Sequence, residues 1–95
     1  MAQSFSVSPV NMHPLTAYRV TKDCTDGTLQ RSDIVWLSEN GDLNIAHPRT
    51  PGWLSYNEWH DPKTMDFYVE VAEDYEVLLL GRKERLQKRT ASDAV

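Results

Sequence analysis

Thirteen residues, "DIVWLSENGDLNI" from Asp33 to Ile45, limit the fold more than any other stretch of the chain. Side chains alternate along a strand, so Ile34 and Trp36 project to one face and Val35 and Leu37 to the other. A strand apolar on both faces belongs inside a sheet, not at its rim. Asn40-Gly41 predicts a two-residue type I′ hairpin turn, which needs φ > 0 at both central positions and which these two residue types supply most easily. Leu43 to Ala46 is then the return strand. The same pattern assigns Trp36 to the core, because it lies mid-strand between Val35 and Leu37.

Flanking segments repeat the period of two. Ala17 to Asp23 alternates, with Tyr18 and Val20 on one face, and Asp26-Gly27 supplies a turn, giving a first hairpin. Phe67, Val69 and Val71 share one face of a later strand, with Tyr68 and Glu70 on the other. Ala72 to Asp74 turns that strand, and Tyr75, Val77 and Leu79 begin another inward set. For 82–89 two readings stay open. Gly81-Arg82 suits a hairpin turn with Leu86 pointing inward, whereas "RKERLQKR" consists largely of helix-favouring residues. The region lacks the i, i+3, i+4 apolar stripe of a docked helix, which favours the hairpin.

One segment follows other rules. In "GWLSYNEWHDP", Ser55 and Glu58 have capping-box spacing, and Leu54 and Trp59 the spacing of a hydrophobic staple. These predict a short helical turn from Tyr56 to His60, ended before Pro62. Trp53 and Trp59 would close the open end of a barrel or line a binding surface, with Trp59 partly exposed. The whole reads as a mainly β fold: a small single-domain barrel or strongly bent antiparallel sheet with one short helical turn. A chain of 95 residues holds about one such core. Residues 1–14 read as an extended arm ordered by docking, 15–89 as the domain, and 90–95 as a flexible tail.

Composition excludes several classes of function. Apolar runs such as Val77 to Leu80 stop far short of the roughly 20 residues of a bilayer-spanning helix. The N-terminus lacks the basic and apolar regions of a secretory signal. Cys24 has no partner for a disulfide, which fits a reducing cytoplasm. A formal charge of −4 argues against generic binding to nucleic-acid backbone. That charge is unevenly distributed: Asp66, Glu70, Glu73, Asp74 and Glu76 precede a basic run from Arg82 to Arg89. Such runs are either solvated strand faces or contact strips for partners of opposite sign. His13, His47 and His60 lack the short spacings of a zinc site. His60 with Asp61 or Asp66 is accompanied by no nucleophile elbow or phosphate loop. These patterns predict no catalytic residue, no metal and no cofactor.

"LQRSDIVWLSENGDL" resembles the second strand and hairpin of SH3-like small barrels. Over a longer span, "IVWLSENGDLN", "GWLSYNEW" and "DFYVEVAEDYEV" are similar to small phage and mobile-element proteins of Gram-positive bacteria. That resemblance implies a genomic setting and no chemistry, and small phage proteins of this size often work by binding, as inhibitors of host defence enzymes and nucleotide sponges do. "GWL" followed by "DF-V-E" is also similar to the end of a Thoeris anti-defence sponge family, although that family's helical N-terminal part has no counterpart here.

Two function classes follow. An inhibitor of a host protein would use an aromatic and charged surface: Tyr56, Trp59, Asp61, Asp66, Tyr68, Arg82, Lys83 and Arg85. A sponge for a small nucleotide would hold phosphate with Arg19, Arg49, Arg82 or Arg85 and stack the base on an aromatic ring. A homo-oligomer is compatible with either.

Overall fold

A computed structural model describes residues 4–23, 29–47, 57–59, 67–81 and 83–88, with 57–59 and 67 described by backbone alone. The strands are β1 (Phe5–Val7), β2 (Tyr18–Val20), β3 (Ile34–Leu37), β4 (Leu43–Ala46), β5 (Asn57–Trp59), β6 (Phe67–Val71), β7 (Tyr75–Leu80) and β8 (Lys83–Lys88). The first six form one antiparallel sheet in the order β1-β6-β2-β3-β4-β5, and β7 and β8 form a separate hairpin. The sheet is open at both ends, so of the two expected architectures the chain adopts the bent sheet, not the closed barrel. Its described helical content is a single 3-10 turn, Pro9–Asn11.

β3 lies between β2 and β4, as its two apolar faces require. All four of its side chains are buried, and Trp36 is fully enclosed. One face of the sheet gathers Tyr18, Val20, Val35, Leu37, Leu43, Ile45 and Val69, covered by Val7, Met12 and Leu29. On the opposite face Ala17, Ile34, Trp36 and Ala46 are covered by Tyr75, Val77 and Leu86 of the β7–β8 hairpin, with Ala72 beside them. Two thin apolar layers thus share one sheet, the arrangement a small chain reaches when no single layer buries enough surface. Residues 5–7 of the expected arm form β1 on the outer edge of β6, and Met12 packs into the first layer.

Among the described residues, Asp33 and Asn44 are the buried polar or charged side chains, and both are satisfied. Asp33 Oδ2 accepts from the Gln30 N–H at 2.9 Å, and its Oδ1 lies 2.9 Å from His47 Nδ1. Asn44 Nδ2 donates to the Asp42 carbonyl at 3.1 Å. These bonds fix the two ends of the β3–β4 pair, where an unsatisfied polar group would cost about 1–3 kcal/mol.

Three local expectations are corrected. First, the β3–β4 turn is not type I′: Gly41 has φ 91, but Asn40 is not left-handed. The Gly41 N–H donates to the Ser38 carbonyl and the Ser38 N–H to the Asp42 carbonyl, so the loop between Ser38 and Asp42 has three residues, a turn followed by a left-handed glycine. Second, Asn57–Trp59 is a strand pairing with Leu43–Ile45, not part of a helical turn. Backbone pairing with the otherwise open edge of β4 outweighs the local capping pattern. Third, Leu79 is not inward: it is 48% exposed, because β7 runs past the sheet that its base covers. The choice over 82–89 falls to the hairpin, with Leu80 opposite Lys83 and Leu86 buried. Gly81 has φ 66, the positive value that the first central position of a two-residue hairpin turn requires.

Candidate protein-binding surface

The β7–β8 hairpin is held to the sheet by its inward row and by one carboxylate. Val77 and Leu86 sit opposite each other and pack on the layer that contains Trp36. Two residues nearer the tip, Glu84 receives the Trp36 Nε1–H on Oε2 at 3.0 Å and the Glu39 backbone N–H on Oε1 at 3.2 Å. Both carboxylate oxygens therefore fasten the hairpin to β3 and to the loop that follows it. Beyond this clamp the tip projects past its support.

Alternation places Leu78, Leu80, Lys83 and Arg85 on the outward side of the hairpin. Leu78 is opposite Arg85 and Leu80 is opposite Lys83, so apolar and cationic side chains form two cross-strand rows. Leu80 is 54% exposed, and Lys83 and Arg85 are exposed beside it. Among the described residues neither cation has an ion-pair partner.

Arg19 and Lys22 are already engaged. Arg19 Nη1 donates to Glu70 Oε1 at 3.0 Å, and its Nη2 lies 2.6 and 2.7 Å from the two Asp74 oxygens. Burial works against the Arg19 charge, but these bonds outweigh it and raise its pKa above the ordinary arginine value. The guanidinium also lies 5.9 Å from the Tyr75 ring centre. Burial, followed by the Asp74 charge, pushes the Tyr75 phenol upward against the opposing effect of Arg19. Lys22 Nζ sits 4.3 Å over the Tyr68 ring, so Tyr68 is half covered by a cation of its own chain.

The sequence-predicted surface is therefore divided. Lys83 and Arg85 lie together on the hairpin. Tyr68 belongs to β6 and Trp59 to β5, with β2, β3 and β4 between them. At about 4.8 Å per strand, that order separates the two by roughly 19 Å, too far for one aromatic patch. Tyr56, Asp61, Asp66 and Arg82 lie outside the described residues, as do Arg49 and the side chain of Trp59. Sequence reasoning missed Leu78, Leu80 and Glu84. The available signal was "VLLL" running directly into a two-residue turn, which leaves its last leucines little sheet to cover.

Near the base of β7 an open groove of about 440 Å³ runs between Leu15, Thr16 and Ala17 on one side and Val71, Ala72, Glu73, Tyr75, Glu76 and Val77 on the other. Leu15 adopts φ 64 there, an uncommon conformation for a branched side chain, and its N–H is tied to the Leu37 carbonyl. Among the described residues no group of three or more His, Cys, Asp or Glu side chains is placed to hold a metal ion. No described helix is long and apolar enough to cross a membrane. Compared with family models, with curated proteins and with solved structures, the chain matches none.

Proposed function

We propose that this protein acts by binding, without turnover, and that it docks on an acidic protein surface through the outward face of the β7–β8 hairpin. The observation that carries this reading is the cross-strand pairing of Leu78 with Arg85 and of Leu80 with Lys83, on a face that no core layer of the described residues covers. Exposed Leu80 and half-buried Leu78 would give a contact its desolvated centre, and the cations beside them orientation and speed of encounter. An inhibitor of a host protein, acting in a reducing cytoplasm, fits both this surface and the resemblance to small phage proteins. The sponge reading draws less support, since Arg19 is held by Glu70 and Asp74 and Tyr68 by Lys22.

Two assays separate the readings. In a thermal-shift panel of linear and cyclic nucleotides, the binding reading predicts no stabilisation, whereas a sponge saturated far above its dissociation constant would gain about 3–4 kcal/mol. In parallel, Lys83→Glu/Arg85→Glu should release a host protein that the wild type retains, with an unchanged melting temperature. Retention by the charge-reversed variant would reject this surface.

A further inference from the structure

Val77-Leu78-Leu79-Leu80 is apolar on both faces, the pattern of a strand with neighbours on both edges. In Ile34–Leu37 the same pattern belongs to a strand flanked by β2 and β4. β7 differs: β8 pairs along its whole length, and among the described residues no strand meets its other edge. Edge strands are normally protected by charge, proline, a bulge or short length. β7 has six residues, no proline, and no charge after Glu76.

The backbone on that edge is set for pairing. A two-residue connection closes on a hydrogen-bonded pair, here Leu80 with Lys83, so Leu80, Leu78 and Glu76 direct their N–H and C=O groups towards β8. Val77 and Leu79 direct theirs away from it.

We infer that a second copy of this chain pairs with this edge, antiparallel, about a two-fold axis at Leu78. Residues opposite each other in a ladder share a face, which restricts a symmetric pairing to axes passing through one residue and its own counterpart. An axis at Leu78 sets Val77 opposite Leu79 of the second copy and Glu76 opposite its Leu80. Both exposed leucines then gain neighbours, and the outward backbone groups of Val77 and Leu79 are satisfied. An axis at Val77 would instead carry Leu80 past the start of the strand to Asp74, which Arg19 already holds.

Charge and shape agree with the Leu78 axis. The base of β7 is acidic, and Glu73 and Glu76 line the groove together with Val71 and Val77. The tip is cationic and apolar, with Leu80 and Lys83. Antiparallel pairing lays each tip beside the groove at the other copy's base, twice, by symmetry. The result is a four-stranded sheet, β8-β7-β7-β8, whose outward face carries Lys83 and Arg85 on both flanks. That face stays open, so partner binding and self-association are separate claims with separate readouts.

Sedimentation velocity of the purified full chain at concentrations up to about 300 μM covers micromolar dissociation constants. The expected result is a dimer that dissociates on dilution. Leu79→Pro should give a monomer, because it removes an N–H that points away from β8 and leaves the β7–β8 ladder intact. Circular dichroism checks that it is folded, and Leu79→Lys repeats the test by charge repulsion if it is not. For the register, Cys24→Ser/Leu78→Cys should oxidise to a covalent dimer at least about tenfold faster than Cys24→Ser/Val10→Cys, since thiols on the axis lie within disulfide reach. A monomeric wild type throughout this range overturns the inference. So does a dimer that survives both Leu79 variants, or equal oxidation rates at positions 78 and 10.

Discussion

Trp36 Nε1 donates to Glu84 Oε2 at 3.0 Å, joining the most enclosed aromatic ring among the described residues to the strand that carries the candidate binding surface. An indole buried in a core needs a partner for its N–H. Here that partner comes from β8, and its second oxygen also receives the Glu39 N–H. Core packing and hairpin placement are therefore coupled through one carboxylate. Glu84→Ala should cost about 1–3 kcal/mol, since it strands the buried indole donor. Combined with Trp36→Phe in a double-mutant cycle, it should show a coupling of about 1 kcal/mol by urea denaturation. Additive effects would mean that the bond contributes nothing to the placement of the hairpin.

Trp36→Ala should destabilise the protein by about 3–5 kcal/mol, because it removes a fully enclosed ring from the layer between the sheet and the hairpin. Against a total stability of about 5–15 kcal/mol, this loss would leave a substantial unfolded fraction at 37 °C. A denaturation midpoint close to wild type would place the ring outside the core.

Gly41 has φ 91, and a Cβ added there would meet nothing within 4 Å. The cost of substitution therefore lies in backbone conformation alone. Gly41→Val should lose more than about 1 kcal/mol, and Gly41→Asn clearly less, because Asn tolerates the left-handed region. Equal midpoints for the two variants would contradict the left-handed glycine.

The hairpin around Trp36 was legible because Asn-Gly between two apolar runs is a strong local signal. Its turn geometry was not. Ile34–Leu37 is apolar on both faces, so its own pattern accepts a partner shifted by one residue and leaves the register undetermined. The expected helical turn failed over 57–59 for a different reason: the capping rules are local, whereas the open edge of β4 that captures Asn57–Trp59 is invisible in a linear sequence. Leu79 followed the alternation as expected, but its exposure depends on where the covering sheet ends. Lys83 and Arg85 were legible as exposed cations from charge alone. The separation of Tyr68 from Trp59 followed only from strand order, because β6 returns to pair with β1 and β2.

Alkaline pH should weaken the fold through Tyr75. Burial and Asp74 favour the neutral phenol, so its folded pKa lies above the unfolded value of 10.0. The stabilisation is complete below about pH 10 and is lost as pH rises through the raised folded value. Tyr75→Phe cannot ionise and should show a flatter decline in urea midpoint between about pH 9 and 11. Parallel declines for variant and wild type would exclude Tyr75 as the cause.

Site-specific photocrosslinking in host cells tests the binding surface most directly. A photoreactive side chain replacing Leu80 should capture a protein partner. The same group at Val10, which is 68% exposed and lies in the N-terminal segment, should not. Adding Lys83→Glu/Arg85→Glu should abolish capture at position 80 while leaving the melting temperature within about 1 °C of the parent, since exposed charges contribute little to stability. Equal capture at both positions, or capture at position 80 that persists after charge reversal, would contradict a docking surface on the β7–β8 hairpin.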